Sequence, residues 1–152
     1  MIQKMRDKIK VKGRCRFIIR NAETGTLIET SPWNPNLVTD DGEELYAQLM
    51  RGDAVDPCSY CAVGDDNTPA AEADTALISE IGRLEITDAT IAGSVVTYST
   101  FFGSGDSNGN WWEVGLLNAA VAGVLIARTV LGGVQVKNAA NTITVEYELS
   151  VV

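Results

Sequence analysis

Two cysteines three positions apart are the first residues of this chain whose spacing suggests chemistry. Cys58 and Cys61 have the spacing of half a zinc ribbon or of a redox-active thiol pair. A zinc site would need two more Cys or His ligands, but the chain holds only one further cysteine, Cys15, and no histidine. A redox pair would need a helix N-terminus to lower the thiol pKa, and this stretch is predicted to be a loop that leads into a strand. We therefore expect buried thiols, no metal and no cofactor; the alternative is a disulfide among Cys15, Cys58 and Cys61, within the chain or between copies.

A polar loop at residues 103–110 is the second candidate for chemistry. Its Asp106, Asn108 and Asn110 alternate as the oxygen ligands of a calcium-binding loop do. The bidentate acid that closes such a loop is missing, because its place falls on Leu117. We predict a long hairpin loop that binds no metal.

Aromatic residues follow this loop and suggest a platform on which a ligand such as a cell-surface sugar could stack. If Trp111 and Trp112 lie in a strand, they face opposite sides, because successive side chains of a strand alternate. We therefore predict that one ring lies in the core and that the other anchors an interface. Trp33, in a connector between two prolines, is the third candidate anchor.

Catalysis has one remaining route, since a chain without histidine lacks the commonest general base. Glycoside hydrolysis needs two carboxylates and no histidine. The chain has twenty acids, but nothing in the sequence marks a pair as buried. Phosphate-binding loops, serine elbows and kinase-like motifs do not occur in the sequence. We expect that the protein is not an enzyme and has no catalytic residues.

The elements that must position these residues are mostly strands. Alternating apolar segments separated by turns rich in glycine, asparagine and alanine predict antiparallel strands at residues 83–87, 94–102, 111–117, 124–131, 134–137 and 142–151. One short helix is predicted at about residues 41–51, with acids at its start and Gly52 as its stop. The fold class expected is all-β, an antiparallel β-sandwich or jelly-roll-like barrel with one short helix and an extended N-terminal arm.

Charge is distributed very unevenly along the chain. Residues 1–20 hold eight basic residues and one acid, a net of +7, whereas the other 132 residues hold four basic and nineteen acidic residues, a net of −15. Basic residues occupy every second position of the N-terminal segment, as in an extended strand with one charged face. They are Lys4, Arg6, Lys8, Lys10, Lys12, Arg14 and Arg16.

This alternation predicts an extended basic arm at residues 1–12, in front of a single β-sandwich domain at residues 13–152. A solvated tail would not need the alternation, and an arm that binds nucleic acid would work against an acidic body that repels phosphates. We favour an arm that adds a strand to, or lies across, an adjacent acidic subunit, and we expect no nucleic-acid partner. Sister copies of the chain offer such a surface.

Six segments of the sequence follow one another in an order that is typical of one group of proteins. They are NLVT at 36–39, YCAVGDDNTP at 60–69, DTAL at 74–77, WEVGLLNA at 112–119, LIAR at 125–128 and TITV at 142–145. The order resembles a widespread family of tailed-phage virion proteins, described as tail-fibre, baseplate or head-decoration proteins, with the patterns NLVT, AVGTGTTAP, DTAL, E-x-GLFNA and L-x-AR. The resemblance covers residues 36–150 and implies an oligomeric β-sandwich with a structural role in the virion.

Two departures from the family pattern bear on the partner. Residues 64–67 are acidic where the family has glycine and threonine, and the basic arm lies outside the shared region. We therefore expect the arm to carry contacts that are particular to this chain. No apolar run approaches the ~20 residues of a membrane span, and no apolar signal-peptide core follows the basic start. We expect no membrane partner and assembly into the virion in the bacterial cytoplasm.

The resemblance and the arm together predict a capsid decoration (cement) protein. We expect a homo-oligomer, a trimer, that sits on the head exterior and clamps neighbouring major capsid subunits with residues 1–20. The alternative is a tail, collar, baseplate or tail-fibre component that contacts the host or other tail proteins, with residues 103–112 as the contact.

Overall fold

Two antiparallel sheets and one helix make up the part of the chain, residues 9–152, that the computed structural model describes. The strands are β1 (Val11–Asn21), β2 (Leu27–Thr30), β3 (Asn34–Pro35), β4 (Leu37–Val38), β5 (Tyr60–Gly64), β6 (Glu80–Glu85), β7 (Asp88–Ala92), β8 (Val95–Phe102), β9 (Gly109–Leu117), β10 (Leu125–Lys137) and β11 (Asn141–Val151), and the helix is α1 (Asp40–Arg51). The first sheet has the order β2-β1-β11-β8-β7, with β3 also paired to β1, and the second has the order β4-β10-β9-β5-β6. The predicted all-β sandwich with one short helix is confirmed.

Strand β1 is an inner strand of the first sheet, between β2 and β11. The two strands pair along their whole length, from Val11 opposite Val151 to Asn21 opposite Asn141. Lys10 also exchanges two backbone hydrogen bonds of 2.8 Å with Val152. The ladder therefore already includes residues 10–12, which the sequence assigned to the arm, while Lys4, Arg6 and Lys8 lie outside the described residues.

The period of two in β1 and β11 decides which residues form the core. Odd-numbered side chains of both strands point between the sheets, because successive residues of a strand face opposite sides. They are Cys15, Phe17 and Ile19 in β1 and Ile143, Val145, Tyr147 and Leu149 in β11, all buried. The even-numbered side chains, including the basic ones, lie on the outer face of the first sheet.

Helix α1 agrees with the predicted span of about residues 41–51 and is held at both ends. At its start Thr39 Oγ1 accepts a hydrogen bond from Gly42 N (2.9 Å) and donates one to Leu125 O (2.5 Å). At its end Gly52 adopts a left-handed conformation with φ of 83°, which glycine adopts without steric cost. The caps fix the helix against β10.

Gly42 lies in close contact with the backbone of the second sheet. A Cβ at this position would collide with the carbonyl oxygen of Ile126. We expect Gly42→Ala to lower the free energy of unfolding by about 1–3 kcal/mol, because overpacking outweighs the better helix propensity of alanine. Gly105→Ala is the control, since no atom lies within 4 Å of its added Cβ. Equal urea midpoints for the two variants would contradict this close approach.

Candidate functional site

Basic side chains of β1, together with Lys10 just before it, form a row on the outer face of the first sheet, next to the acids of β11. We call Lys10, Lys12, Arg14 and Arg16 the basic row. Arg14 Nε donates to Glu148 Oε2 at 2.8 Å, and Arg16 Nη2 donates to Glu146 Oε2 at 3.2 Å. Lys10 and Lys12 are exposed and make no ion pair with any other described residue. The unpaired positive charge of the row therefore lies at the end from which residues 1–8 continue.

Trp33 is placed against this row. The guanidinium carbons of Arg14 and Arg16 lie 4.0 and 4.4 Å from the centroid of its half-buried ring. Such cation–π contacts contribute about 0.5–1 kcal/mol each at exposed sites. An open hollow beside the ring is lined by Lys12, Gly13, Arg14, Trp33, Pro35 and Ser150. The structure thus brings one predicted interface anchor together with three of the predicted partner-binding basic residues, Lys12, Arg14 and Arg16.

The two adjacent tryptophans have different environments. Trp111 is fully buried, with its ring edge-to-face against Phe17 and Phe102 at centroid distances of 5.9 and 5.0 Å. Its indole Nε1 donates to Ser107 O at 2.8 Å. Trp111 therefore belongs to the core and is no longer a candidate interface anchor. Trp112 is half-buried and remains a candidate.

The oxygen-rich loop at residues 103–110 uses its polar side chains to hold itself together. Asp106 Oδ2 accepts a hydrogen bond from Gly103 N at 2.8 Å, and Asn108 Oδ1 accepts one from Lys137 Nζ at 2.8 Å. Burial lowers the pKa of Lys137, and the nearby Asp106 carboxylate partly opposes that shift. Within residues 9–152, no group of three or more Cys, Asp or Glu side chains is placed to hold a metal ion.

All three cysteines are free thiols in this structure. Cys15 and Cys61 are buried and Cys58 is half-buried. Burial raises the pKa of the Cys15 and Cys58 thiols to about 12, and it also raises the pKa of Cys61. Each shift opposes formation of the thiolate, which is the reactive form.

These pKa shifts predict slow alkylation of the folded protein. At pH 8 a thiol with a pKa of about 12 has a thiolate fraction about 10³-fold smaller than an unperturbed thiol. We expect iodoacetamide to modify all three cysteines within minutes in urea and none on that timescale in buffer, as read from the intact mass. Rapid modification of the folded chain would contradict their burial, and fewer than three modifications in urea without reductant would show a disulfide.

A buried ion network joins the second sheet to the long loop at residues 65–79. Arg128 Nε donates to Glu113 Oε2 at 2.8 Å, and both side chains are buried. Arg128 Nη1 donates to Thr68 O at 2.9 Å and to Asp74 Oδ2 at 3.3 Å. Its Nη2 lies 4.0 Å from Asp66 Oδ1. We call these five residues the motif network, because each belongs to one of the sequence segments that carry the family resemblance.

Glu113 also fixes the end of that loop. Its Oε1 accepts from Ser79 N at 2.8 Å and its Oε2 from Ile78 N at 3.1 Å. A Cβ on Gly64 would collide with the Glu113 carboxylate and with Ser79 O, so glycine is required there. Below the loop, a small apolar cluster contains Ala62, Leu77, Leu117 and Leu125. The network and this cluster hold the loop over the outer face of the second sheet.

Sequence reasoning missed this network, although one signal was present. Glu113 and Arg128 are the only charged residues in the apolar stretches WWEVGLL and LIARTVL. Buried charges are normally paired. Two such residues in predicted strands that follow one another in the sequence, and can therefore be neighbours in a sheet, indicate an ion pair. In the observed register Glu113 stands opposite Val130 and Arg128 opposite Gly115, which makes the charged pair a diagonal contact on one face.

The described part of the chain has no helix with the length and apolar composition needed to cross a membrane. Comparison with models of protein families, with curated proteins and with solved structures finds no match to this chain.

Proposed function

We propose that this chain is a structural protein of a tailed-phage virion, and specifically a decoration protein that oligomerises on the head and clamps neighbouring capsid subunits. One observation carries the proposal: the residues of four sequence segments that resemble the virion family meet in the motif network. Asp66 and Thr68 come from the first of these segments, Asp74 from the second, Glu113 from the third and Arg128 from the fourth. Segments that are short and common individually thus contribute to one structural unit, which supports their interpretation as a single pattern.

The network suits a mechanical role. It joins a long loop to the middle of a sheet through buried charged hydrogen bonds, and a buried pair of this kind is costly to open. The loop, through Leu77, covers a surface that would otherwise expose apolar side chains such as Leu117 and Leu125. A rigid body of this type can transmit load between the subunits that it bridges.

The positive charge at the N-terminal end of the chain favours a partner with an acidic surface. Lys10 and Lys12 are exposed at the start of the first sheet, and residues 1–8 add Lys4, Arg6 and Lys8. Opposite charges on a partner would steer association and make it sensitive to ionic strength. The acidic remainder of the chain would repel the phosphates of nucleic acid.

The proposal is tested by adding the purified chain to phage heads that lack it and sedimenting the heads. The matched variants are the full chain, Lys4→Gln/Arg6→Gln/Lys8→Gln, and Arg51→Gln, a control that removes an exposed charge from the helix instead. We expect the full chain to bind heads saturably and more weakly as the salt concentration rises. The triple variant should lose this binding, and the Arg51→Gln control should keep it. Binding to tails would favour the tail or baseplate alternative, and binding to neither particle would contradict a virion role.

A further inference from the structure

Strand β7 forms an open edge of the first sheet. All five of its residues are exposed, and Ile91 is 75% exposed although it is apolar. Strand β7 packs on β8, and no strand within residues 9–152 pairs with its other side. Such an edge leaves backbone N–H and C=O groups without a strand partner and is a template for pairing with another chain.

The other three sheet edges in the described part of the chain have features that oppose such pairing. Strand β4 has two residues, and β2 has four, with a register irregularity in its pairing with β1. Strand β6 carries charged side chains, and Ser107 of the loop at residues 103–110 lies against its Gly82. Short strands, irregular register, charges and covering loops are the usual protections of an edge. Strand β7 differs, because its five residues keep an unbroken register with β8 and its one charge, Asp88, stands at its end.

The hydrogen bonds of β8 decide which of its residues bond β7. In an antiparallel pair, opposite residues exchange both hydrogen bonds at every second position and none in between. Ser94 O accepts from Val151 N at 2.9 Å, so even-numbered residues of β8 bond β11 and odd-numbered residues bond β7. Phe101 N points to the same side as the other odd-numbered residues, because it donates to Thr87 Oγ1 at 3.1 Å.

This alternation also decides which backbone groups lie at the open edge. Odd-numbered residues of β8 stand opposite Asp88, Thr90 and Ala92, which therefore bond β8. The N–H and C=O groups of Ala89 and Ile91 point the other way, out of the sheet.

The outward groups are complementary to those of a second copy of the same strand. When two β7 strands lie antiparallel with Thr90 opposite Thr90, Ala89 of each copy stands opposite Ile91 of the other. The two pairs exchange two hydrogen bonds each, and these satisfy every outward N–H and C=O of both residues. A shift by two residues would place Ala89 opposite Gly93, which lies in a turn with φ of 59°, or Ile91 opposite Thr87, whose N–H already donates to an oxygen of β8.

Apolar packing favours the same register. Ile91 points to the inner side of the first sheet, since it stands opposite Val96, which stands opposite the buried Leu149. In the two-fold pairing Ile91 packs beside Ala89 of the other copy, a large residue next to a small one. The two isoleucines are diagonal neighbours within reach of each other, so each covers part of the other's exposed surface.

Charge also favours this register. Asp88 stands opposite Ala92 of the other copy. The two Asp88 side chains therefore lie at opposite ends of the pairing, about 13 Å apart along the strands at ~3.3 Å per residue. No like charges are opposed across the contact, although each chain has a net charge of −8.

We propose that two copies of this chain pair through β7 in antiparallel orientation about a two-fold axis at Thr90, which joins their first sheets into one continuous sheet. This contact rests on the proposed function in that it names an interface through which the chain oligomerises. Because the contact is two-fold, it makes dimers, and not the trimer expected from the sequence. It is a property of the purified chain, so its failure would leave binding to heads unaffected.

The first test places a cysteine on the two-fold axis. Two Thr90→Cys residues in this register have Cα atoms about 4.5 Å apart, within the range that a disulfide spans. Asp88→Cys is the matched control, since it lies on the same face of the same strand but far from its counterpart. Under mild oxidation, read on a non-reducing gel, we expect Thr90→Cys to form a linked dimer at least about tenfold faster than Asp88→Cys, because pairing raises the local thiol concentration. A mixture of Asp88→Cys and Ala92→Cys should link as a pair. Equal rates for Thr90→Cys and Asp88→Cys would overturn the proposal.

The second test measures association of the chain without added cysteines. We expect the sedimentation coefficient of the wild-type chain to rise with concentration, and that of Ile91→Lys to stay at the monomer value, because lysine at an edge opposes pairing. Ile28→Lys is the control, since Ile28 is 59% exposed on the edge strand β2, and it should associate as the wild type does. Circular dichroism should be the same for all three chains. Association that Ile91→Lys leaves unchanged would overturn the proposal, and a wild-type chain that stays monomeric would overturn it in favour of a strand from a different protein.

Discussion

Glu113→Gln should lower the free energy of unfolding by about 3–5 kcal/mol, the range expected when one partner of a buried ion pair is removed. Glu113 accepts hydrogen bonds from Arg128 and from the backbone of Ile78 and Ser79. Glutamine keeps the size of the side chain but removes its charge. Arg128 then stays buried with two more distant and partly exposed acids as partners, Asp74 at 3.3 Å and Asp66 at 4.0 Å. Urea denaturation followed by tryptophan fluorescence measures the change.

A surface pair of the same type provides the control. Glu146 accepts from Arg16 across neighbouring strands at 3.2 Å, but that pair remains partly open to water. We expect Glu146→Gln to change stability by less than about 1 kcal/mol, as is usual for ion pairs near solvent. Similar losses for the two variants would contradict the structural role of the motif network.

Trp111→Ala should destabilise the chain by about 3–5 kcal/mol, the usual cost of truncating a large buried aromatic side chain. The substitution removes the edge-to-face contacts with Phe17 and Phe102 and the hydrogen bond to Ser107 O. Because Trp111 joins the core to the loop at residues 103–110, its loss should also expose that loop to proteolysis.

Trp112→Ala is the matched control for this prediction. The neighbouring ring is half-buried, and we expect less than half of the loss measured for Trp111→Ala. A larger loss at Trp112 than at Trp111 in urea denaturation would contradict the assignment of Trp111 to the core.

Local patterns were enough to predict many elements of this fold, but not all of them. Strand β7 was not predicted, and β10 is one strand where two, at residues 124–131 and 134–137, were predicted. The period of two in β11 and the acids and Gly52 around α1 are local signals, and both elements occur where these signals place them. The pairing of β1 with β11 was not predicted, because it joins residues more than a hundred positions apart and depends on packing in the whole sandwich. For this reason residues 10–12 were assigned to the arm although they extend a sheet.

The candidate site was predicted only in part. The alternation of basic residues placed Arg14 and Arg16 on one face of a strand, but their contacts with Trp33 depend on how β3 folds back on β1. Which of the two adjacent tryptophans faces the core also depends on tertiary structure, since β10 has a register irregularity between Val130 and Gln135, next to Trp111. The period of a single strand does not determine which face is buried.

An apolar groove between helix α1 and the first sheet shows what neither composition nor period could give. Met50 and Val151 are far apart in the sequence, and only the fold places them on one surface with Ile9. Met50 is 73% exposed, and this exposure is a property of the tertiary structure that the sequence pattern does not give.

The proposed role in the virion is tested most directly by finding where the chain resides. Phage particles would be purified from a lysate of cells that express the chain, heads and tails would be separated on a density gradient, and each fraction would be analysed by mass spectrometry. The account predicts peptides of this chain in the head fraction, released by high salt before the major capsid protein is released. Absence of the chain from the particles would contradict the virion role, and its presence only in the tail fraction would contradict the decoration role.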